Sequence, residues 1–384
     1  MSGRLQHDFE RFGRELPRDA AAYIRETYRV DLTSRYLGYT LPHPIGKGSG
    51  QLSLNLDQLD ADRAAGLAFV VLKTVIGEDT TGERSMGAWA IHETRMKVER
   101  RRSTGGVDGW TVTWKGRGWD RSFEDYLALV RAGSELTRAN ELIVVPSAKL
   151  HLPRLDEPFR EDEYRYTVGG IAGAWGDGPL PIEKDFSPTL AGDALADERA
   201  QILRWLREVP GRIRDAAPVP VRLALKLMNA RFDDEFQLEM LRAAGGADAL
   251  VCFNRLWDAD AKVAYGGYDL SNRNLRVLAS RPHRPDAPAL AGTGNICSGR
   301  MLLEYARLGC ECAQLHTFFQ LPLREYPAIA GSRTQRALHA LLFDPVDGLV
   351  AGMLQLEEAG LLERRGGELH YLDVTTMRDA ARPA

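Results

Sequence analysis

The sequence lacks a long apolar run and a strong excess of either charge. No stretch approaches the roughly 20 consecutive apolar residues that a membrane-spanning helix needs. The first residues, MSGRLQHDFERFGRELPRD, are polar and contain no apolar signal core. We therefore expect a cytoplasmic protein without a membrane span. The formal net charge is only −3 in 384 residues, so no basic surface for phosphate backbones is predicted and a nucleic-acid partner is not expected.

Cysteine is scarce as well. The four cysteines, Cys252, Cys297, Cys310 and Cys312, contain no C-x-x-C pair, whereas a four-thiolate iron–sulfur cluster usually needs closer sets. We interpret them as buried thiols of the core and predict no metal site.

What the sequence does contain is an alternation of short apolar runs with amphipathic helical patterns. The apolar runs are LAFVVLKTV (67–75), ELIVVPSA (141–148), PVRLALKLM (220–228), ADALVCFN (247–254), PALAGTGNI (288–296) and CAQLHTF (312–318). Repeated strand–helix units predict a parallel sheet, whose strands are covered on both faces and read as continuous apolar runs. We predict an α/β fold with a (β/α)8 barrel over residues 31–343. This segment is longer than the roughly 250 residues of a plain barrel, so we expect insertions in its loops. A helical extension (1–30) precedes it, and a helix-and-hairpin appendage with a tail (344–384) follows.

Two segments interrupt this alternation. Residues 76–120 contain GWTVTWKGRGW (109–119), which predicts a β-hairpin inserted in a strand–helix loop, and residues 150–186 are predicted to be an acidic, proline-rich loop. Long loops in compact enzymes are usually lids or binding loops, with a solvated surface loop as the alternative. The tryptophans of these loops form either an apolar substrate pocket or a packing cluster: Trp110, Trp114, Trp119 and Trp175. The C-terminal helix and hairpin lack a basic recognition helix, so we favour a packing role over DNA binding.

Polar residues at the ends of the predicted strands are the candidates for chemistry, because active sites of barrels are built there. Lys226 lies inside the apolar run LALKLM, and burying an unpaired ammonium is costly. Lys226 is therefore expected to meet an anionic partner, either an anionic ligand or a carboxylate in a structural ion pair. The run AGTGNICSGR joins a strand to a helix, which predicts a phosphate site at the helix N-terminus or, alternatively, a plain tight turn.

The ordered series of motifs resembles the dihydroorotate dehydrogenase family and related pyrimidine-reducing flavoproteins, from about residue 31 to residue 319. The matching segments are DLTSRYLGYTLPHPIGKGSG, LKTV, KDFSPTLAG, LKLMN, VCFN, YDLSNRNL, GTGNICSG and AQLHTFF. The resemblance implies a flavin mononucleotide (FMN) cofactor. The cofactor-binding positions that it implies are Gly48, Ser49, Gly50, Lys73, Thr74, Lys226, Ser271, Gly294, Asn295, His316 and Thr317.

The resemblance also implies catalytic and substrate positions. Ser187, which precedes Pro188, matches the family's proton-abstracting base, and Asn254 matches a substrate-binding asparagine. The two asparagines of the family's base loop are replaced by Lys184 and Thr189. A site built for one hydrogen-bond pattern discriminates against another, so we expect that the flavin is retained and that the substrate differs from dihydroorotate.

The expected function is that of an FMN-dependent dehydrogenase or reductase acting on a CH–CH bond, or C=C bond, next to a carbonyl of a small cyclic substrate. Ser187 would move the proton, with Lys184 or Asp185 as its relay, while Lys73 would hold substrate and ring. The alternatives are dihydroorotate dehydrogenase itself with an unusual substrate shell, and a flavin-binding scaffold without turnover. The electron acceptor or donor is external and unidentified, and a homodimer is the family expectation.

Overall fold

The structure is a computed structural model that describes residues 2–87, 96–102, 108–114, 118–186, 199–229, 233–258, 263–265, 270–282 and 284–377. The helices in these residues are α1 (Ser2–Phe12), α2 (Ala20–Tyr28), α3 (Leu56–Ala64), α4 (Phe123–Arg138), α5 (Glu161–Trp175), α6 (Arg199–Ala216), α7 (Asp234–Ala243), α8 (Leu270–Ser280), α9 (Gly299–Ala306), α10 (Arg333–Phe343), α11 (Leu349–Glu358) and α12 (Tyr371–Val374). The strands are β1 (Val30–Asp31), β2 (Ser34–Tyr36), β3 (Tyr39–Leu41), β4 (Ile45–Lys47), β5 (Phe69–Val71), β6 (Val75–Ile76), β7 (Met96–Arg102), β8 (Asp108–Trp114), β9 (Ile143–Val145), β10 (Ser147–Lys149), β11 (Leu180–Asp185), β12 (Val221–Met228), β13 (Ala249–Asn254), β14 (Leu256–Asp258), β15 (Val263–Tyr265), β16 (Ala289–Gly292), β17 (Cys310–Leu315) and β18 (Leu369–His370).

The main sheet has ten strands in the order β6-β10-β11-β12-β13-β16-β17-β4-β5-β9, and every pairing in it is parallel. This confirms the predicted α/β class with a parallel sheet. The sheet curls, because β5 pairs with β9 near one end of the order while β6, which follows β5 in the chain, pairs with β10 at the other end. Residues 72–74 separate β5 from β6, and Pro146 separates β9 from β10.

The two faces of the strands differ in what they pack against. In β12, Leu223, Leu225 and Leu227 belong to the main core that the strands share with the helices, whereas Ala224 belongs to a smaller cluster on the inner face of the sheet. Because side chains alternate along a strand, Lys226 lies on the same inner face as Ala224. Lys226 is therefore held inside the curled sheet rather than against the helices.

A hairpin of β2 and β3 covers one end of the inner face. Its Tyr36 packs on Phe69 with ring centroids 4.7 Å apart, and Leu37 and Leu41 join the inner cluster. Arg222, near the amino end of β12, donates to the Leu37 carbonyl at 3.2 Å. The hairpin therefore lies at the amino ends of the strands, which leaves their carboxyl ends as the accessible mouth.

Helix starts are set locally by capping residues. A side-chain oxygen accepts a backbone N–H of the first turn at Asp19, Asn55, Ser122, Asp233, Ser298 and Ser332. Such caps each stabilise a helix by about 1 kcal/mol. The cap Ser298 is the one nearest the site, because it begins α9 at the end of the loop that follows β16.

Two predictions for the interrupting segments were wrong in their bounds. The hairpin predicted within 109–119 is formed by β8 with β7, which precedes the predicted segment, and it is antiparallel. Residues 150–186, predicted as a loop, contain α5 and β11. Helix α5 forms because Tyr164, Val168 and Ile171 recur at helical spacing and are buried; the prolines that suggested a loop lie outside it.

The predicted terminal segments pack on the rest of the chain and on each other. Phe12 of α1 contacts Phe343 of α10 with ring centroids 4.9 Å apart. The predicted C-terminal helix is α11, and β18 beyond it pairs in parallel with β1, with Val30 opposite Leu369. The described residues contain no helix that is long and apolar enough to cross a membrane. Three of the four cysteines are buried, Cys297 is half-buried, and all four are free thiols.

Candidate functional site

The carboxyl ends of β4, β12, β13, β16 and β17 surround a pocket at the mouth of the sheet, with about 530 Å³ of space that is partly open to solvent. Its lining residues are Gly48, Ser49, Lys226, Asn254, Arg255, Thr293, Gly294, Asn295, Ile296, Gln314, Leu315, His316 and Thr317. Residues predicted from separate motifs far apart in the sequence are thus brought together in one place.

The turn after β4 lines one side of the mouth pocket. Gly48 donates its backbone N–H to the Leu315 carbonyl at 2.9 Å, and the Ser49 hydroxyl lies 2.8 Å from that of Thr74. A Cβ on Gly50 would lie 1.9 Å from Nε2 of His316. Glycine at position 50 is therefore required for the imidazole ring to pack against this turn.

Lys226 meets a carboxylate below the pocket. Its Nζ lies 3.8 Å from Oε1 of Glu183, and both side chains are buried. The distance is too long for a hydrogen bond, so the pair is electrostatic and Lys226 still borders the pocket. Burial raises the pKa of Glu183, and Lys226 opposes this rise. Of the two predicted partners for Lys226, a carboxylate is thus present in the structure.

Gln314 lies beside this pair on the inner face of β17. Its Nε2 donates to Oε2 of Glu183 at 2.6 Å and to the hydroxyl of Tyr36 at 3.0 Å. Its Oε1 is buried and has no hydrogen-bond partner among the described residues. The network therefore satisfies the donor end of this amide and leaves its acceptor end available.

A second buried charge pair lies nearby. Lys149 Nζ is 3.2 Å from Oδ2 of Asp185, and the Thr74 hydroxyl donates to the same oxygen at 3.3 Å. Thr74 also lies 3.0 Å from the hydroxyl of Ser147, so three strand ends share one polar cluster. Burial lowers the pKa of Lys149 to about 8, and Asp185 opposes this effect.

Lys184 leaves β11 on the helix side, but its ammonium returns to within 3.4 Å of the Asp185 carbonyl. Ile182, two residues earlier in β11, belongs to the core shared with the helices, and alternation along the strand puts Lys184 on that same side. The Lys184 ammonium lies 4.7 Å from the ring centroid of Phe186. Burial lowers the pKa of Lys184 to about 7, and Lys149 adds to the effect. The structure thus places Asp185, and not Lys184, on the inner face. Ser187 and Thr189 lie outside the described residues.

The loop after β16 has the backbone form expected of a close approach to a ligand. Gly294 and Asn295 both have left-handed backbone angles, with φ of 96° and 54°. A Cβ on Gly294 would lie 2.6 Å from Nδ2 of Asn274, so glycine is needed there. The Asn295 amide donates to the hydroxyl of Ser271 at 3.2 Å, which brings the predicted Ser271 to the same loop.

Buried side chains hold the carbonyls of this loop from behind. Asn274 Nδ2 donates to the Thr293 carbonyl at 2.9 Å, and the Tyr305 hydroxyl donates to the Gly294 carbonyl at 2.9 Å. Helix α9 begins just beyond at Ser298, and the first-turn N–H of Arg300 is already bonded to the Asp347 carbonyl at 2.8 Å. The residues of the loop, and not those of α9, line the pocket.

The imidazole of His316 lies among several positive charges at the mouth of the sheet, and they affect its pKa. Burial lowers its pKa well below the usual value, and the positive charges of Arg255, Lys226 and Lys73 lower it further. Gln320 Nε2 lies 3.3 Å from His316 Nε2, a contact that suits an unprotonated nitrogen. The imidazole is therefore neutral near pH 7, and the cations around it favour negative charge in the pocket.

Several residues of the site escaped the sequence-based search, namely Glu183, Lys149, Arg255 and Gln314. The signal that singled out Lys226, a polar residue within an apolar strand, is also present in PIEKDF, PSAKL and CAQL. Applying it to every strand, with the two-residue alternation, would have found three of the four.

Comparison with known proteins adds no relative. Neither the scan against protein-family models nor the search of curated proteins gave a match to this chain.

Proposed function

We propose that this chain is an FMN-dependent oxidoreductase of the dihydroorotate dehydrogenase type, built on a (β/α)8 barrel. The strand pairings support the barrel. When β5 and β6 are counted as one interrupted strand, and β9 and β10 as another, the sheet has eight strands that pair one after the other. The pairing of β17 with β4, in which Ala313 is opposite Ile45, then closes the ring.

One observation carries the functional proposal. Positions that the resemblance assigns to the cofactor come from four separate strand ends, and they line a single pocket: Gly48, Ser49, Lys226, Gly294, Asn295, His316 and Thr317. The parallel sheet brings these strand ends together, and the support for a cofactor comes from the residue types that meet there, glycines beside Lys226 and His316. The predicted substrate ligand Asn254 borders the same pocket.

The residues present fit the chemistry of FMN. Gly294 and Asn295 would hold the phosphate, because they line the pocket and the carbonyls of their loop are bonded on the inner side. Gly48 leaves room for a flat ring, and Lys226 beside it would face the part of the ring that gains negative charge on reduction. When bound, FMN supplies a hydride acceptor or donor at N5.

The chain's own residues would supply binding and proton transfer. Ser187 would move the proton of the substrate carbon next to the carbonyl, and Lys73 would hold the substrate against the ring. Asp185 lies on the inner face two residues before Ser187, already bonded to Lys149 and Thr74, and is therefore the better of the two proposed relay groups. The substrate is a small molecule other than dihydroorotate, oxidised or reduced at a CH–CH or C=C bond, with an external redox partner.

The first test is cofactor binding. Purified protein is expected to carry FMN, or to take it up when added, with the flavin absorption spectrum as the readout. A colourless preparation that takes up no FMN would overturn the proposal. A bound flavin that no candidate substrate or reductant ever reduces would favour the scaffold alternative instead.

The second test concerns Ser187 and the substrate. Ser187→Ala is expected to keep the flavin and to lose nearly all turnover, and unchanged turnover would remove Ser187 from the mechanism. Anaerobic addition of dihydroorotate is expected to leave the flavin spectrum unchanged. Bleaching by dihydroorotate would instead identify the chain as a dihydroorotate dehydrogenase.

A further inference from the structure

The unpartnered amide oxygen of Gln314 is the feature of the pocket that the proposed function does not yet use. Gln314 is buried, with only 1% of its surface exposed, and its Oε1 has no hydrogen-bond partner among the described residues. Buried acceptors in native proteins are almost always paired. An acceptor left over at the wall of a pocket indicates that a ligand supplies the donor.

The orientation of this amide is fixed by its other end. Glu183 Oε2 lies 2.6 Å from Gln314 Nε2, and a carboxylate facing the ammonium of Lys226 accepts hydrogen bonds rather than donating them. Rotating the amide by half a turn would put two oxygens at that distance. The amide N–H groups thus stay on Glu183 and Tyr36, and Oε1 stays on the side of the amide that faces Gly48.

Gly48 shows where this oxygen is directed. The position that a Cβ would take on Gly48 lies 3.4 Å from Gln314 Oε1 and 3.6 Å from Lys226 Nζ. All three residues line the mouth pocket. A neutral acceptor and a cationic donor therefore flank the same space beside a residue without a side chain.

We propose that Gln314 Oε1 accepts the N3–H of the flavin's pyrimidine ring, next to the ring atoms that Lys226 faces. This inference rests on the proposed function. Along that edge the oxidised flavin carries N1, the C2 oxygen, N3–H and the C4 oxygen, so N3–H is its one donor among acceptors. A cation for N1 and the C2 oxygen, followed by one neutral acceptor, is the complementary arrangement. Gln314 is thus a cofactor-recognition residue that selects for a ring with a donor at N3.

The test compares FMN with 3-methyl-FMN, in which a methyl group replaces the N3 hydrogen. Binding to the apoprotein is measured by the quenching of flavin fluorescence. The native chain is expected to bind 3-methyl-FMN at least about tenfold more weakly, because the analogue leaves a buried acceptor unpaired. Gln314→Ala removes the acceptor and opens space for the methyl group, so the preference for FMN is expected to disappear.

Two further variants separate the hydrogen bond from general effects. Gln237→Met removes another fully buried glutamine, one that donates to the Met228 carbonyl on the helix side, and it is expected to keep the native preference. Should Gln314→Ala fail to fold by circular dichroism, Tyr36→Phe removes one of the two anchors of the amide and is expected to weaken the preference.

The outcomes distinguish this inference from the proposed function. Equal binding of FMN and 3-methyl-FMN by the native chain overturns the role of Gln314 and leaves the flavin proposal standing. A Gln314→Ala variant that keeps the native preference for FMN overturns that role as well. Binding of neither flavin overturns both.

Discussion

Replacing Gly48 by alanine should separate the stability of the protein from its affinity for the flavin. The added Cβ would lie 3.4 Å from Oε1 of Gln314 and 3.6 Å from Nζ of Lys226, distances of ordinary van der Waals contact. Gly48 has no left-handed backbone angle. Alanine therefore fits the apoprotein, and its lower entropy in the unfolded chain should raise the free energy of unfolding by about 0.4–1 kcal/mol.

The same methyl group occupies the space in which we propose that the ring lies. Overpacking typically costs about 1–3 kcal/mol, which corresponds to a Kd for FMN that is roughly 5- to 140-fold higher. The assay is a fluorescence titration with FMN, paired with thermal unfolding of the apoprotein. Gly48→Ala is thus expected to be at least as stable as the native chain and to bind the cofactor more weakly.

Two other glycines serve as controls for this prediction. A Cβ on Gly173 in α5 would meet nothing within 4 Å, so Gly173→Ala is expected to stabilise the helix and to leave the affinity unchanged. Gly50→Ala, whose Cβ would collide with His316, is expected to destabilise the apoprotein itself. Native affinity for FMN in Gly48→Ala would refute the reasoning, because the ring would then lie elsewhere.

Three further predictions follow from the buried charges. The pKa of Lys184 is about 7 in the folded protein, below the roughly 10.4 of an unfolded chain. Between these values the unfolded state binds more protons, so the stability of the protein rises with pH. Lys184→Met should therefore show a smaller rise of Tm from pH 7 to pH 10 than the native chain, and an equal rise would contradict the lowered pKa. Lys47 forms a buried ion pair with Asp62 on the helix side of the sheet. Lys47→Met should lower the free energy of unfolding in urea by about 3–5 kcal/mol, and adding Asp62→Leu should restore much of it. A double variant that loses as much stability as the two single variants together would argue against a desolvated ion pair. Lys226→Met should lower the affinity for FMN and the reduction potential of the bound flavin, since a cation beside the ring stabilises the reduced form. A reduction potential that is unchanged in a spectroelectrochemical titration would place Lys226 away from the ring.

The sequence was sufficient to predict the elements whose signals are local. The apolar runs became parallel strands, and the residues at their ends, such as Lys226 and Asn254, arrived at one mouth, because a parallel sheet brings the carboxyl ends of its strands together. The sequence did not predict which distant segments pair with each other, or on which face of a strand a given side chain lies. The strand that pairs with β8 could not be found from the segment 109–119 alone.

Lys184 shows what motif matching does not specify. The resemblance predicts a substrate position for Lys184, and the structure adds that its side chain leaves β11 on the helix side while its ammonium lies 3.4 Å from the Asp185 carbonyl. A difference of one residue in register moves a side chain from one face of a strand to the other. Only the clusters in which its neighbours are buried, Ile182 on one side and the Asp185 contacts on the other, settle which face is which.

The pairing of β1 with β18 has a consequence for how the chain folds as it is synthesised. Arg25 is bonded to Glu368 across 343 positions of sequence, and Val30 can pair only once Leu369 has been made. Domains emerging from the ribosome generally fold from the N-terminus onward, but here the first helices and strand obtain their last partners only when nearly the whole chain has been made. We therefore expect nascent chains that end before β18 to hold α2 and β1 loosely, so that resistance of residues 20–31 to proteolysis appears late in synthesis.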